Sequence, residues 1–107
     1  LYTDGVLGLD SANLEPGSRL HGLFWGHWQA LEAYRASQGL EWTVMTAARG
    51  ALGDGERTGR YRLGGEETLF DRNGSSDIGR ADFAIAVIDV AESRDRAGAR
   101  VAVGPPY

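Results

Sequence analysis

The chain has 107 residues, a formal net charge of -4, and 42% hydrophobic and 24% charged residues, as expected of one globular domain or part of one. The acidic balance argues against a nucleic-acid partner, which needs a basic patch. With no Cys there is no disulfide, thiolate nucleophile or Cys-ligated zinc site, a composition that fits a reducing cytoplasm, and no apolar run approaches the ~20 residues of a membrane span.

Residues 1–18 carry scattered Gly, Asp, Ser, Asn and Pro without periodicity and read as loop. Leu rather than Met stands first, so more chain is expected upstream. Pro16-Gly17-Ser18 predicts a turn with Ser18 as N-cap. From Arg19 to about Gln38, apolar residues recur at Leu20, Phe24, Trp28, Leu31 and Tyr34, which is helical spacing, and Gly39 is placed to end that helix. Glu41 to Ala47 reads as a strand buried on both faces, the mark of a parallel sheet covered on both sides. Residues 48–57 read as loop. Thr58 to Leu63 alternates like a strand, Thr68 to Phe70 suggests another, and Asp71-Arg72-Asn73-Gly74 is a turn. Gly79 to about Ser93 is the clearest helix, with Phe83, Ala86, Val87 and Val90 as its apolar stripe and Asp82 suited to its positive end. Val101 to Val103 is the last strand. The order is α/β, with too few strands for a complete doubly wound sheet.

Gly53-Asp54-Gly55-Glu56-Arg57-Thr58-Gly59 has the composition of a phosphate loop but not its context. A phosphate loop needs Lys, and a dinucleotide fingerprint must open a helix so that its amides face the pyrophosphate. Here a strand follows, so the run reads as a plain turn. His27 sits on the firm part of the first helix; it is either a histidine at the edge of the apolar stripe or a polar group facing a substrate pocket. His21 lies near the frayed start of that helix. The two histidines do not share a face, so they form no metal pair. Trp25, Trp28, Trp42 and Tyr34 could wall a flat ring, though such residues more often serve as core. Glu66 and Glu67 read as a solvated turn.

Together these segments resemble a known family. Trp28 to Val44 is similar to the "ALExLRxxxGLDWT" helix–strand unit of atypical short-chain dehydrogenase/reductases. Gly55 to Gly64 looks like the "PGERTGKYRLG" segment of the NADH-flavin reductase-like branch. Asp71 to Ala84 resembles "DAEGxSRISxEDYA", and Arg100 to Gly104 the closing "RFTVGY" strand. Biliverdin reductase B and NmrA-like proteins share this layout.

The resemblance implies the C-terminal half of a Rossmann-like doubly wound parallel sheet with a small substrate-side segment. Residues 1–107 would then be one partial, truncated domain. It implies an NAD(P)H-dependent oxidoreductase that passes hydride to a flavin, quinone or similar flat acceptor. Thr46, Ala47 and Ala48 would lie near the nicotinamide, and His27 near the substrate. The glycine-rich pyrophosphate site would lie outside this chain. Phe24 and Trp28 stand where other members carry Tyr-x-x-x-Lys, and Thr46-Ala47-Ala48 replaces the usual Pro-containing stretch. Those departures leave open a non-catalytic NAD(P)-sensing or scaffold role of the NmrA-like kind. A homo-oligomer pairing open sheet edges is a third expectation; no metal is expected.

Overall fold

The structure is a computed structural model that describes residues 1–3, 6–7, 18–47, 52–54 and 56–107. Strands β1 (Tyr2–Thr3) and β2 (Val6–Leu7) form a small antiparallel ribbon within the segment expected to be mostly loop. Tyr2 also bridges to the middle of the chain: its N–H donates to the Glu66 carbonyl and its carbonyl accepts from the Thr68 N–H, both at 2.7 Å. The Pro16-Gly17 turn lies outside the described residues.

Helix α1 (Arg19–Ala36) starts as expected, with the Ser18 hydroxyl accepting from the His21 N–H at 3.1 Å. Phe24 and Trp28 are half-buried and Leu31 is buried, so this part of the predicted stripe faces inward, whereas Tyr34, expected in it, is exposed. The helix ends two residues earlier than predicted. The Ser37 N–H and hydroxyl both turn back to the Tyr34 carbonyl, and Gly39, with φ +72°, reverses the chain just after them. Tyr34 stacks on Trp42, with ring centroids 5.9 Å apart.

Strand β3 (Thr43–Ala47) pairs in parallel with the last strand, β7 (Ala99–Gly104), from Thr43 opposite Ala99 to Ala47 opposite Val103. Strand β5 (Arg62–Gly64) pairs antiparallel on the other side of β7. The order β3-β7-β5 makes β7 the centre, and its Val101, Ala102 and Val103 are at most 2% exposed. It also corrects the expectation for β3. An edge strand is only half covered, so Val44 to Ala47 are half-buried and Thr43 is exposed.

Strand β5 is shorter than the predicted Thr58–Leu63, because the amides of Thr58 and Gly59 are engaged elsewhere. Residues 68–70 form no ladder; the chain meets β1 in a single bridge at Glu67. The Asp71 turn forms as predicted, its carboxylate accepting from the N–H groups of Asn73 and Ser75. Strands β4 (Leu52–Gly53) and β6 (Ile78–Gly79) make a second, parallel pair, and β6 runs straight into helix α2 (Arg80–Ser93).

Alternation along the strands gives the sheet two distinct faces. Met45, Ala47, Leu63 and Val103 meet Ile78, Phe83 and Ala86 on the α2 side. The buried residues of α2 are Asp82, Ala86 and Val90, whereas Val87, expected in the stripe, is exposed, as is Ile88. On the opposite face, Leu69 covers Gly64 and Gly104. Helix α1 is tied to that face through Glu66, which pairs with both Arg35 and Arg100. Glu66 is therefore a bridge between layers rather than the solvated turn expected. The Arg100 side chain is 8% exposed; burial lowers its pKa, and Glu66 offsets that only in part. The architecture is mixed α/β, built on one complete β–α–β unit, β3–α2–β7. Among the described residues, no helix is long and apolar enough to cross a membrane.

Candidate functional site

Parallel β3 and β7 finish side by side, Ala47 beside Val103. Open α/β sheets bind ligands outside the carboxyl ends of their strands, so this end is the candidate site. Helix α2 runs back against β7, which brings its N-terminal turn to the same end.

The best-defined arrangement there is a carboxylate latch. Asp82 lies in the first turn of α2 and is 5% exposed. Its Oδ1 accepts from the N–H groups of Thr58 and Gly59, both at 2.9 Å, and its Oδ2 accepts from the Thr58 hydroxyl at 2.7 Å. The same hydroxyl oxygen accepts from the Arg60 N–H at 3.1 Å. The Thr58 hydroxyl, then the Gly59 amide, hold the Asp82 carboxyl below the usual carboxylate range. Gly59 adopts φ +74° to present its amide. The glycine-rich run is thus a true anion cradle, and its anion is this chain's own Asp82. Sequence reading assigned Asp82 only to the helix dipole. Its partners lie 23 and 24 residues away, so no local pattern marks them.

Gly59→Ala is expected to cost about 1 kcal/mol, because a side chain disfavours the left-handed backbone. A Cβ there meets nothing within 4 Å, so the cost is conformational alone. Urea unfolding of the two proteins measures it.

Beyond the latch, Arg62 sits opposite Gly104 at the same end. Its guanidinium lies 4.0 Å from the centre of the Tyr107 ring and donates to the Phe70 carbonyl at 2.7 Å. Phe70 and Tyr107 leave apolar ring surface open to solvent.

The residues expected from the sequence are placed as follows. Thr46 is half-buried on the α1 face, and Ala47 is packed on the α2 face against Ile78, Ala86 and Val103, so the two do not share a surface. Ala48 lies outside the described residues. His27 is exposed on α1 and His21 is half-buried in its first turn. Trp25 is exposed while Trp28 turns inward, so the tryptophans build no common wall. Among the described residues, no cluster of His, Asp and Glu could hold a metal. A cleft of about 220 Å³ opens between Thr43, Met45, Val87, Val90, Arg94 and Arg96, but at the amino end of β3.

The described residues do not fit the pyrophosphate of a dinucleotide. The amides that could cradle it, those of Thr58 and Gly59, are taken by Asp82, and the loop feeds a strand rather than a helix.

No family model matches the chain. A stretch of 73 residues is 32% identical to YwnB of Bacillus subtilis (strain 168), described as an uncharacterized protein; the stretch makes up 68% of this chain and 34% of YwnB. Two solved structures superpose closely. One is a candidate NADH-flavin reductase from Streptococcus pneumoniae, with a TM-score of 0.80, 28% identity, and coverage of 92% of this chain and 46% of that one. The other is a candidate epimerase from Bacteroides thetaiotaomicron, with a TM-score of 0.74, 29% identity, and coverage of 98% and 48%. The chain spans about a third of the curated relative and about half of each matched structure. The fold is therefore half of a Rossmann-like sheet of the kind found in NAD(P)-binding proteins.

Proposed function

We propose that this chain supplies the acceptor side of an NAD(P)H-dependent reductase acting on a flat conjugated molecule such as a flavin or quinone. The observation that carries this reading is the superposition of 92% of the chain on a candidate NADH-flavin reductase, at 28% identity. Within that reading, Thr46 and Ala47 end the strand beside the nicotinamide, and the ring surface of Phe70 and Tyr107 lies toward the acceptor. The latch on Asp82 fixes the segment between them. The pyrophosphate is held elsewhere, since the amides of Thr58 and Gly59 are already engaged. The second reading, a non-catalytic NAD(P) sensor, draws support from α1, where Phe24 and Trp28 pack inward and supply no acid.

The 107-residue chain titrated with NADH and with NADPH is expected to show no saturable binding below about 1 mM, the weak end of ordinary affinities. Micromolar binding to this chain alone would overturn the division of the cofactor site. Flavin-dependent oxidation of NADH or NADPH by the chain joined to a cofactor-binding half separates reductase from sensor.

A further inference from the structure

Three arginines among the described residues are half-buried: Arg62, Arg96 and Arg100. Arg96 pairs with Asp95 and Arg100 with Glu66, but Arg62 meets no carboxylate among the described residues. A cation drawn out of water is costly unless something answers its charge. The acid nearest in the chain to its Phe70 contact is Asp71, which spends its carboxylate on the N–H groups of Asn73 and Ser75 in its own turn. The Arg62 Nε is buried and has no acceptor among the described residues. The Arg100 Nε is unmet as well, but there Glu66 answers the charge. An unpaired cation with an unmet buried donor calls for an acceptor from outside the chain.

What Arg62 does meet holds it in place. The Phe70 carbonyl takes one of its N–H donors, and the Tyr107 ring lies on the guanidinium face, a contact that uses no donor. A guanidinium receives a carboxylate edge-on, through two parallel N–H bonds in its own plane. A flat ring joined to that carboxylate is then carried alongside the exposed rings of Phe70 and Tyr107. Pro105 is buried, so Tyr107 stands on a short lead. Arg62 is also opposite Gly104, at the end of the sheet where the acceptor was placed above.

We propose that Arg62 selects an acidic acceptor: a flat conjugated ring bearing a carboxylate, which the Arg62 fork receives while Tyr107 fixes the guanidinium and Phe70 borders the ring. This rests on the proposed function and names the substrate class of the same site. A nicotinamide dinucleotide carries no carboxylate on its rings, so the site gives the chain no hold on NADH or NADPH.

The probes are anthraquinone carboxylate and its carboxamide, which share a shape and differ in charge, titrated into the 107-residue chain and followed by NMR. The carboxylate is expected to saturate with a Kd of about 1 mM or tighter, and the carboxamide to bind roughly tenfold more weakly or worse. Arg62→Gln should reduce the carboxylate to the level of the carboxamide, with the amide spectrum showing that the variant stays folded. Arg62→Lys should restore only part of the difference, because an ammonium is a point charge without a fork. Tyr107→Ala should weaken the carboxylate, and Tyr107→Phe, which keeps the ring, should not. Arg94→Gln, at the other end of α2, should change nothing. Equal binding of the two probes overturns the proposal, as does full retention by Arg62→Gln or an equal loss in Arg94→Gln. Carboxylate binding through Arg62, without NADH- or NADPH-dependent reduction of the same quinone by the chain joined to a cofactor-binding half, would keep the site and remove the reductase reading.

Discussion

Asp82→Ala is expected to lower the melting temperature by roughly 10 °C, a large shift for a domain of this size. Three donors, the N–H groups of Thr58 and Gly59 and the Thr58 hydroxyl, converge on one buried carboxylate. Removing the acceptor breaks all three bonds at once and unties residues 58 and 59 from the helix. The effect has a pH signature. The folded carboxyl titrates below its ordinary value, so its contribution is complete above the unfolded pKa, near 4. It is lost as pH falls through the lowered folded value. Thermal melts between pH 7 and pH 2 should therefore show the wild-type protein falling steeply below about pH 4, with a flatter profile for Asp82→Ala. Asp82→Asn keeps the shape and an oxygen for the two backbone amides but sets its NH2 against the Thr58 hydroxyl, and with no carboxyl to titrate it should flatten the profile equally. A wild-type profile that matches both variants would rule out the latch as a source of stability.

Gly104→Ala is expected to cost about 1–3 kcal/mol, the usual range for overpacking a filled core. The added Cβ would stand 2.7 Å from the Leu69 Cβ and 3.3 Å from the Leu69 carbonyl oxygen. A flexible side-chain tip can swing away from such a contact, but a Cβ and a carbonyl move only with their backbone. Gly104 ends the central strand opposite Arg62, so the shift would reach the β5 pairing. Leu69→Gly in the same chain removes that Cβ and should recover part of the loss, and the double variant measures it. Should Gly104→Ala melt with the wild-type protein, Leu69 does not sit over the strand as described.

Helices were the most legible part of this sequence. Ser18, the Phe24–Trp28–Leu31 spacing and the Asp71 turn are local signals, and each formed where it was expected. Strands were harder, because their extent depends on distant neighbours. Residues 58–61 have strand-like alternation, yet Asp82 captures their first amides and β5 begins only at Arg62. Glu66 looks like surface until Arg35 and Arg100 arrive from other elements. The same limit applies to the site. The glycine-rich run reads as a plain turn, but the carboxylate that its Thr58 and Gly59 hold lies beyond any local window. His27 shows the converse: its helix was readable, but the side chain stands exposed and meets no group that would mark a site.

The central position of β7 also bears on the order of folding. Both of its neighbours, β3 and β5, precede it in the chain, so among the described residues neither has a ladder partner until residues 99–104 join. Helix α2 forms from local contacts, and the latch then joins it to residues 58 and 59 before β7 is needed. Held there, β5 waits beside the gap that β7 will enter. The latch would thus shape the transition state as well as the native state, and Asp82→Ala should slow refolding as well as speed unfolding.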